Sequence, residues 1–212
     1  LTEGGDLAAV AAPLVVNGLL DTAGGDITGI TTTTVNAGGQ ILTGGGDLTG
    51  GGALTHNVGG LIDLGDGGAL TVLSATTFAG SLVGGPDTSV NTTGGALTLN
   101  AATSSIALDG GTVNVTGGAL TISNAAGSLT TNGGAVTADG NLAITGTLDS
   151  GGGAVATTGA AATITVNTGG QILTGGADLS GVNGTITVNA GGQILTEGGD
   201  LAAVAAPLVV NG

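Results

Sequence analysis

Residues 165–186 read TVNTGGQILTGGADLSGVNGTI, and residues 187–208 repeat that phrase as TVNAGGQILTEGGDLAAVAAPL. Twelve of the first fifteen positions are identical at this offset of 22. A third copy, TVNAGGQILTGGGDLTGGGALT, occupies residues 34–55. A period of this length indicates stacked structural units, each of which buries its apolar face only against its neighbours. We therefore expect an architecture of repeated coils.

A longer period encloses the short one. Residues 1–18, LTEGGDLAAVAAPLVVNG, recur unchanged as residues 195–212, at an offset of 194. We interpret residues 1–212 as a single continuous segment, in which residues 1–194 form one long repeat and residues 195–212 begin the next copy. The sequence is therefore expected to be a window from a longer tandem array.

The composition favours short strands over the other common classes of chain. Of the 212 residues 48 are glycine, the apolar fraction is 41% and the mean hydropathy is +0.54, whereas disordered chains are polar and highly charged. No apolar run reaches the 18 residues of a membrane-spanning helix, so membrane insertion is not expected. The glycines also lack the three-residue period of collagen.

The charge is entirely of one sign. The chain has 14 acidic residues, no Lys or Arg, and a formal net charge of −14. It therefore lacks the basic footprint with which proteins bind nucleic acid or anionic membranes. Compensation of this charge must come from solvent counterions or bound cations.

Alternation of apolar and polar residues, as in residues 119–123 (ALTIS), predicts strands with one buried face. Residues 7–12 are the sole helix candidate, and Gly5 and Pro13 limit them to one or two turns. Glycine pairs supply tight turns between the short strands. The fold class predicted is therefore all-β.

A parallel β-helix, or β-solenoid, accommodates these features. Coils of 20–25 residues would stack in parallel, about nine of them in each 194-residue repeat, and the variable coil length favours the right-handed form. Equivalent apolar residues are then expected to stack inward in three sets, Val35, Ile41 and Leu48, then Val166, Ile172 and Leu179, then Val188, Ile194 and Leu201.

Aspartates recur at nearly the same interval as the coils. Seven of them carry the pattern: Asp26, Asp47, Asp66, Asp87, Asp109, Asp178 and Asp200. Stacked carboxylates repel one another, and Ca²⁺ binds several carboxylate and carbonyl oxygens, so one hypothesis is a row of weak Ca²⁺ sites. The alternative is a solvated acidic face, because no turn matches the GGxGxDxUx calcium repeat.

Candidate catalytic groups are few. His56 is the lone histidine, the chain has no cysteine, and His56 is expected on the surface or in a turn. The acidic pairs Asp63/Asp66 and Glu197/Asp200 could imitate a glycosidase dyad, but the chain has a single Phe and no Trp or Tyr to form a sugar platform. We therefore predict no enzyme activity, no catalytic residue and no cofactor other than Ca²⁺.

Two polar patterns predict ladders across the coils. Asn36, Asn167 and Asn189 share one position of the repeat, where stacked amides would hydrogen-bond to one another. Outward threonines on a solenoid can order water, as in ice-binding proteins, and the candidates here are residues 31–34, Thr163/Thr165 and Thr185/Thr187, but their TxT spacing does not recur coil by coil. Threonine is also simply a good strand residue.

The phrase Asn189-Ala190-Gly191-Gly192-Gln193-Ile194, followed by Gly198-Gly199-Asp200-Leu201, resembles filamentous-haemagglutinin-like and autotransporter-type repeats of large bacterial surface proteins. That resemblance covers three coils clearly and the rest weakly. It implies an extracellular, rod-like, right-handed β-helix that serves adhesion or fibre building.

The function expected is therefore that of a structural shaft in an extracellular fibre or a giant cell-surface protein. The partner expected is the chain itself, either through tandem copies or through end-to-end association. Two alternatives remain open, an adhesin stalk with a ligand-binding face and an ice-binding solenoid.

Overall fold

The computed structural model describes residues 4–203 and 207–211, and in them the chain forms 27 short strands and no helix. No described segment is therefore a helix of the length and apolarity needed to cross a membrane. The strands of the first four coils are β1 (Leu7–Val16), β2 (Leu19–Asp21), β3 (Ile27–Val35), β4 (Gln40–Leu42), β5 (Leu48–Gly50), β6 (Leu54–His56), β7 (Leu61–Asp63), β8 (Ala69–Val72), β9 (Thr76–Phe78) and β10 (Ser81–Gly84). Coils five to seven contain β11 (Ser89–Thr93), β12 (Leu97–Leu99), β13 (Ser105–Leu108), β14 (Thr112–Thr116), β15 (Leu120–Ile122), β16 (Ser128–Thr130), β17 (Val136–Ala138), β18 (Leu142–Ile144) and β19 (Thr147–Asp149). The remaining strands are β20 (Val155–Thr157), β21 (Ile164–Val166), β22 (Gln171–Leu173), β23 (Leu179–Val182), β24 (Ile186–Val188), β25 (Gln193–Leu195), β26 (Leu201–Ala203) and β27 (Leu208–Val210).

Each coil wraps around three faces. The first and second faces belong to one 18-stranded sheet, in which the long strands β1 and β3 each span both faces. The third face is a nine-stranded sheet that starts with β2 and ends with β25. The strand pairs between successive coils are parallel, as in β1 with β3 and β23 with β26. The predicted all-β solenoid of stacked parallel coils is therefore confirmed.

The long repeat contains a whole number of coils. Along the first face, Leu7 pairs with Ile27, and the same position is followed from coil to coil up to Leu179 and Leu201. The nine offsets vary from 19 to 24 residues and total 194. Leu201 therefore lies nine coils from Leu7 at the equivalent position, as the predicted nine-coil repeat requires.

The core is a set of aliphatic columns that run along the coil axis. Val35, Ile41 and Leu48 are at most 1% exposed, and each represents a different column. Val166, Ile172 and Leu179 continue the same columns and are completely buried. Val188 and Ile194 are half-buried and Leu201 is 39% exposed, because these residues belong to the last described coils. The predicted inward positions are thus confirmed.

The helix candidate, residues 7–12, is part of a strand. The ladder to β3 satisfies the backbone of β1 and is irregular between Ala8 and Leu14, where the register shifts. Ala11 has a φ of 49°, which interrupts a regular strand and allows the chain to turn from the first to the second face. Alanine has the highest helix propensity, but tertiary context overrides propensity, and here pairing with the next coil decides the conformation.

Steric constraints require glycine at both positions before the aspartate in the Gly-Gly-Asp turns. The first glycine of such a pair, Gly24, has a φ of 102°, which residues with a Cβ rarely adopt. A Cβ on the second, Gly25, would lie 2.4 Å from the carbonyl oxygen of Gly5 in the preceding coil. Coils approach this closely at the corner only because neither residue has a side chain.

Candidate functional site

The aspartates of the Gly-Gly-Asp turns hydrogen-bond to the backbone of the following coil. Asp6 Oδ1 accepts the Asp26 N–H at 3.0 Å, and Asp26 Oδ1 accepts the Asp47 N–H at 2.8 Å. Near the other end, Asp178 Oδ1 accepts the Asp200 N–H at 2.8 Å. Each carboxylate thus satisfies a backbone donor that no strand pairs. We call this series the Asp column.

The Asp column does not contain all seven predicted aspartates. Asp47 Oδ1 accepts the Ala69 N–H at 2.9 Å, and the registers then place Ser89 and Thr112 at this position. The other three aspartates are in turns between the third and first faces: Asp66 precedes β8, Asp87 precedes β11 and Asp109 follows β13. The assumption that equal sequence intervals mean one column was wrong for these three, because the coils differ in length.

Within the described residues no group of three or more His, Cys, Asp or Glu side chains is arranged to hold a metal ion. The stacked carboxylates are Asp6 with Asp26 and Asp47, and Asp178 with Asp200. In the structure Asp6, Asp26, Asp47 and Asp178 accept backbone N–H groups of the following coil.

One carboxylate outside the predicted set has its own partners. Asp139 accepts the Thr158 hydroxyl from the next coil, and it also accepts the Gly117 N–H at 2.8 Å from the preceding coil. The hydrogen bond from Thr158 and, to a smaller extent, the one from Gly117 lower the pKa of Asp139. This carboxylate therefore links three coils at an exposed position.

His56 lies in the core, which corrects the expectation of a surface or turn residue. It is 1% exposed at an inward position of β6, and neither of its ring nitrogens has a hydrogen-bond partner. A Cβ on Gly60 or Gly80 would lie 2.8 Å from its Nε2, so these two glycines make room for the ring. Burial lowers the pKa of His56 to about 4, and a backbone interaction with Gly60 that lacks hydrogen-bond geometry partly opposes this shift. His56 is therefore neutral at pH 7.

The acidic pairs considered as a glycosidase dyad have local roles. Asp63 lies in the outer surface of the third face, where its Oδ1 accepts the Gly65 N–H at 3.0 Å, and Asp66 follows in the same turn. Glu197 has a φ of 52° in the turn before β26, and Asp200 completes the Asp column. Asp66 and both members of the second pair thus lie in turns between the third and first faces, and Asp63 ends β7 beside the first of these turns.

The predicted asparagine ladder is present. Asn36 Nδ2 donates to Asn17 Oδ1 at 2.7 Å, and Asn57 Nδ2 donates to Asn36 Oδ1 at 2.8 Å. A second run at the same coil position contains Asn167, Asn189 and Asn211, whose side-chain amides are joined by hydrogen bonds of 3.3 and 3.1 Å. These amides bridge neighbouring coils and fix their relative register. We call this series the Asn column.

A column of threonines runs along the second face, and it contains three of the candidate threonines, Thr34, Thr165 and Thr187, although a regular column was not expected. Its members occupy the outward middle position of each strand and are Thr34, Thr55, Thr77, Thr98, Thr121, Thr165 and Thr187. Ala143 interrupts the column once, between Thr121 and Thr165. The signal in the sequence is one threonine per coil between two inward residues, which are both apolar in four of the seven cases, as in Leu97-Thr98-Leu99, and not TxT within a coil.

An apolar surface covers the last described coil. An open depression there is lined by Val188, Ile194, Leu195, Leu201, Leu208 and Val210. The exposed fractions of Leu208 and Val210 are 55% and 66%, which is unusual for aliphatic residues of this core. We call this surface the last-coil surface.

Comparison with known proteins identifies no relative of this chain. No protein-family model matches its sequence, and no curated protein or solved structure matches it significantly. The coil register and the surfaces described above are therefore the basis for proposing a function.

Proposed function

We propose that the chain is a segment of a structural shaft, within an extracellular fibre or a giant cell-surface protein, and that further copies of the same sequence continue it. The observation that carries this proposal is that 194 residues form nine whole coils, so that Leu201 lies where Leu7 lies. A repeat of fractional coil number would begin each copy on a different face. A whole number continues the columns and the sheets without a break.

The columns give the shaft its mechanical basis. Backbone hydrogen bonds join successive coils of the described chain, for example from the Asn36 N–H to the Val16 carbonyl oxygen at 2.9 Å. The Asp and Asn columns add bonds that are specific to one register. Bending the rod, or slipping one coil over the next, would break the hydrogen bonds between those two coils. No other coil could replace them, because each coil contacts only its neighbours.

The alternative of an adhesin stalk has less support. Binding faces for proteins or sugars are enriched in exposed aromatic and arginine side chains. This chain has no Lys, Arg, Trp or Tyr, and its single Phe, Phe78, is completely buried. The absence of such side chains favours a shaft over a binding tip.

Electron imaging of purified protein, with and without a calcium chelator, tests the shaft. A chain joined to further copies should form straight rods with an axial spacing of about 4.8 Å and a length on the order of 40 Å for each long repeat. Fraying of the rods under chelation would assign Ca²⁺ to the acidic turns. Globular particles that do not lengthen as copies are added would contradict the shaft.

Ice binding is the second candidate, and the threonine column favours it. Adjacent threonines of this column, such as Thr55 and Thr77, belong to neighbouring parallel strands. Their hydroxyls are therefore spaced at about 4.8 Å along a nearly straight line. A regular rank of hydroxyl and methyl groups on a rigid face is suited to ordering water.

Thermal hysteresis and ice recrystallisation assays separate the two functions. If the column binds ice, the protein should inhibit recrystallisation, and Thr77→Lys should abolish the effect. Thr49→Lys, on the first face, is the matched control and should leave it unchanged. Equal loss in both variants, or no inhibition by the unmodified protein, would reject this candidate and leave the shaft.

A further inference from the structure

Two residues with the same place in the repeat differ widely in exposure. Val16 and Val210 occupy equivalent positions, 194 residues apart, within identical sequence. Val16 is 5% exposed, because β3 of the second coil covers it, whereas Val210 is 66% exposed. The structure therefore shows the same sequence once covered and once uncovered.

The backbone shows what the covering segment supplies. The Leu7 N–H donates to the Asp26 carbonyl oxygen at 2.7 Å, and the Val16 carbonyl oxygen accepts the Asn36 N–H at 2.9 Å. Leu201 and Val210 present the equivalent N–H and carbonyl groups on the last-coil surface. A segment with the sequence of residues 26–36 would pair with both.

We propose that a following copy of this chain covers the last-coil surface, and that residues 195–212 serve as its residues 1–18. This inference rests on the proposed shaft and specifies its junction. Leu201 pairs with Ile27 of the following copy, Val209 with its Thr34 and Val210 with its Val35. These pairs are the ones that Leu7, Val15 and Val16 make within this chain.

Both polar columns become continuous at this junction. Asp178 and Asp200 are joined by Asp26 and Asp47 of the following copy. Likewise, the side-chain hydrogen bonds that join Asn167, Asn189 and Asn211 would continue through Asn36 and Asn57 of the following copy. Asn17, Asn36 and Asn57 show the same geometry within this chain. The junction would then carry four successive aspartates and five successive asparagines, longer runs than either column has elsewhere in the described chain.

Disulfide mapping tests the register. The polypeptide to use is the full chain followed by residues 19–212 again, and the absence of cysteine from the sequence makes any disulfide unambiguous. Val209→Cys is combined with Thr34→Cys in the following copy, since adjacent parallel strands place Cα atoms about 4.8 Å apart, within disulfide range. The internal standard is Val15→Cys with Thr34→Cys in the first copy, a pair seen in the structure. The misregister control is Val209→Cys with Thr55→Cys of the following copy, one coil farther away.

The junction pair should oxidise at a rate within a few-fold of the internal standard, and the misregister pair should remain reduced under the same conditions. A junction pair that stays reduced while the internal standard oxidises would overturn the proposed junction, as would equal oxidation of the misregister pair. Electron imaging of the same polypeptide tests the shaft separately. Oxidation of the junction pair in particles that are not rods would reject the shaft and retain the junction.

Discussion

The imidazole of His56 lies edge-on against the ring of Phe78, with centroids 5.2 Å apart and an interplanar angle of 87°. The two residues pair across adjacent coils, in a column whose other members include Val35 and Leu99. They are the single His and the single Phe of the chain. The ring contact therefore fills core space, but it leaves two polar nitrogens without a partner, which carries a free-energy penalty.

The first prediction concerns acid. The pKa of His56 is about 4 in the folded chain and about 6.5 when exposed, so between these values the unfolded state binds a proton that the folded state does not. The free energy of unfolding should therefore fall as the pH drops from about 6.5 to about 4, by about 1.4 kcal/mol per pH unit from this residue. Urea unfolding of the wild type and of His56→Leu, at several pH values, isolates that contribution from the carboxylates.

The difference between His56→Leu and wild type should favour the variant and widen on acidification, then level off below about pH 4. The control is Phe78→Leu, which alters the same ring contact without a titratable group, and its difference should not vary with pH. A His56→Leu difference that is constant from pH 7 to pH 4 would contradict the assignment of a buried neutral imidazole.

Charge in the Asp column gives the second prediction. Asp26→Asn keeps the oxygen that accepts the Asp47 N–H and removes one of three successive charges, so the free energy of unfolding should rise by up to about 1 kcal/mol at low salt. The gain should shrink in high salt, where exposed charges are screened. Asp26→Ala also removes the acceptor and should be less stable than Asp26→Asn by about 1 kcal/mol.

The control for the Asp column is Asp87→Asn. Asp87 is exposed, lies outside the column and has a φ of 61°, which asparagine tolerates as well as aspartate does. Its replacement should change stability little. A larger gain from Asp87→Asn than from Asp26→Asn would show that net charge, and not stacking in the column, governs the effect.

The glycine corner gives the third prediction. A Cβ on Gly46 would lie 2.3 Å from the Gly25 carbonyl oxygen, so Gly46→Ala forces two coils apart and should lower the free energy of unfolding by about 1–3 kcal/mol. Gly18→Ala is the matched control, because Gly18 has no atom within 4 Å of that position and no left-handed φ. It should be neutral or slightly stabilising, since alanine restricts the unfolded chain. Thermal unfolding of both variants gives the comparison, and equal melting temperatures would contradict the steric account.

The parts of the fold that could be predicted from sequence are those that recur at the same place in every coil. Alternation and the repeat length predict the inward columns and the nine coils without reference to turn geometry. The position of Asp66 could not be predicted from its sequence interval, because Asp47 directly precedes Leu48 whereas Asp66 lies four residues before Leu70, the residue that pairs with Leu48. Sequence interval alone does not measure such a shift.

The burial of His56 and the exposure of Thr55 could both have been predicted by aligning the sequence coil by coil. Leu54-Thr55-His56 has the same alternation as Ile164-Thr165-Val166, so the parity of the strand places His56 inward with Val166. The same alignment places Thr55 and Thr165 in one outward column. The expectation of a surface histidine relied on residue type, whereas in a solenoid the position within the coil decides burial.

The Asn column gives the last prediction, which separates a hydrogen-bonded ladder from ordinary polar surface. Asn36 donates to Asn17 and accepts from Asn57, so Asn36→Ala removes two hydrogen bonds between side-chain amides. It should lower the free energy of unfolding by about 1–2 kcal/mol. Asn100 holds the same coil position, but its column neighbours are Ala79 and Ser123, and it is exposed. Asn100→Ala should therefore have little effect. Chemical unfolding of both variants measures the difference, and an equal loss in the two would mean that the amide bonds between coils add no stability beyond that of any asparagine at this corner.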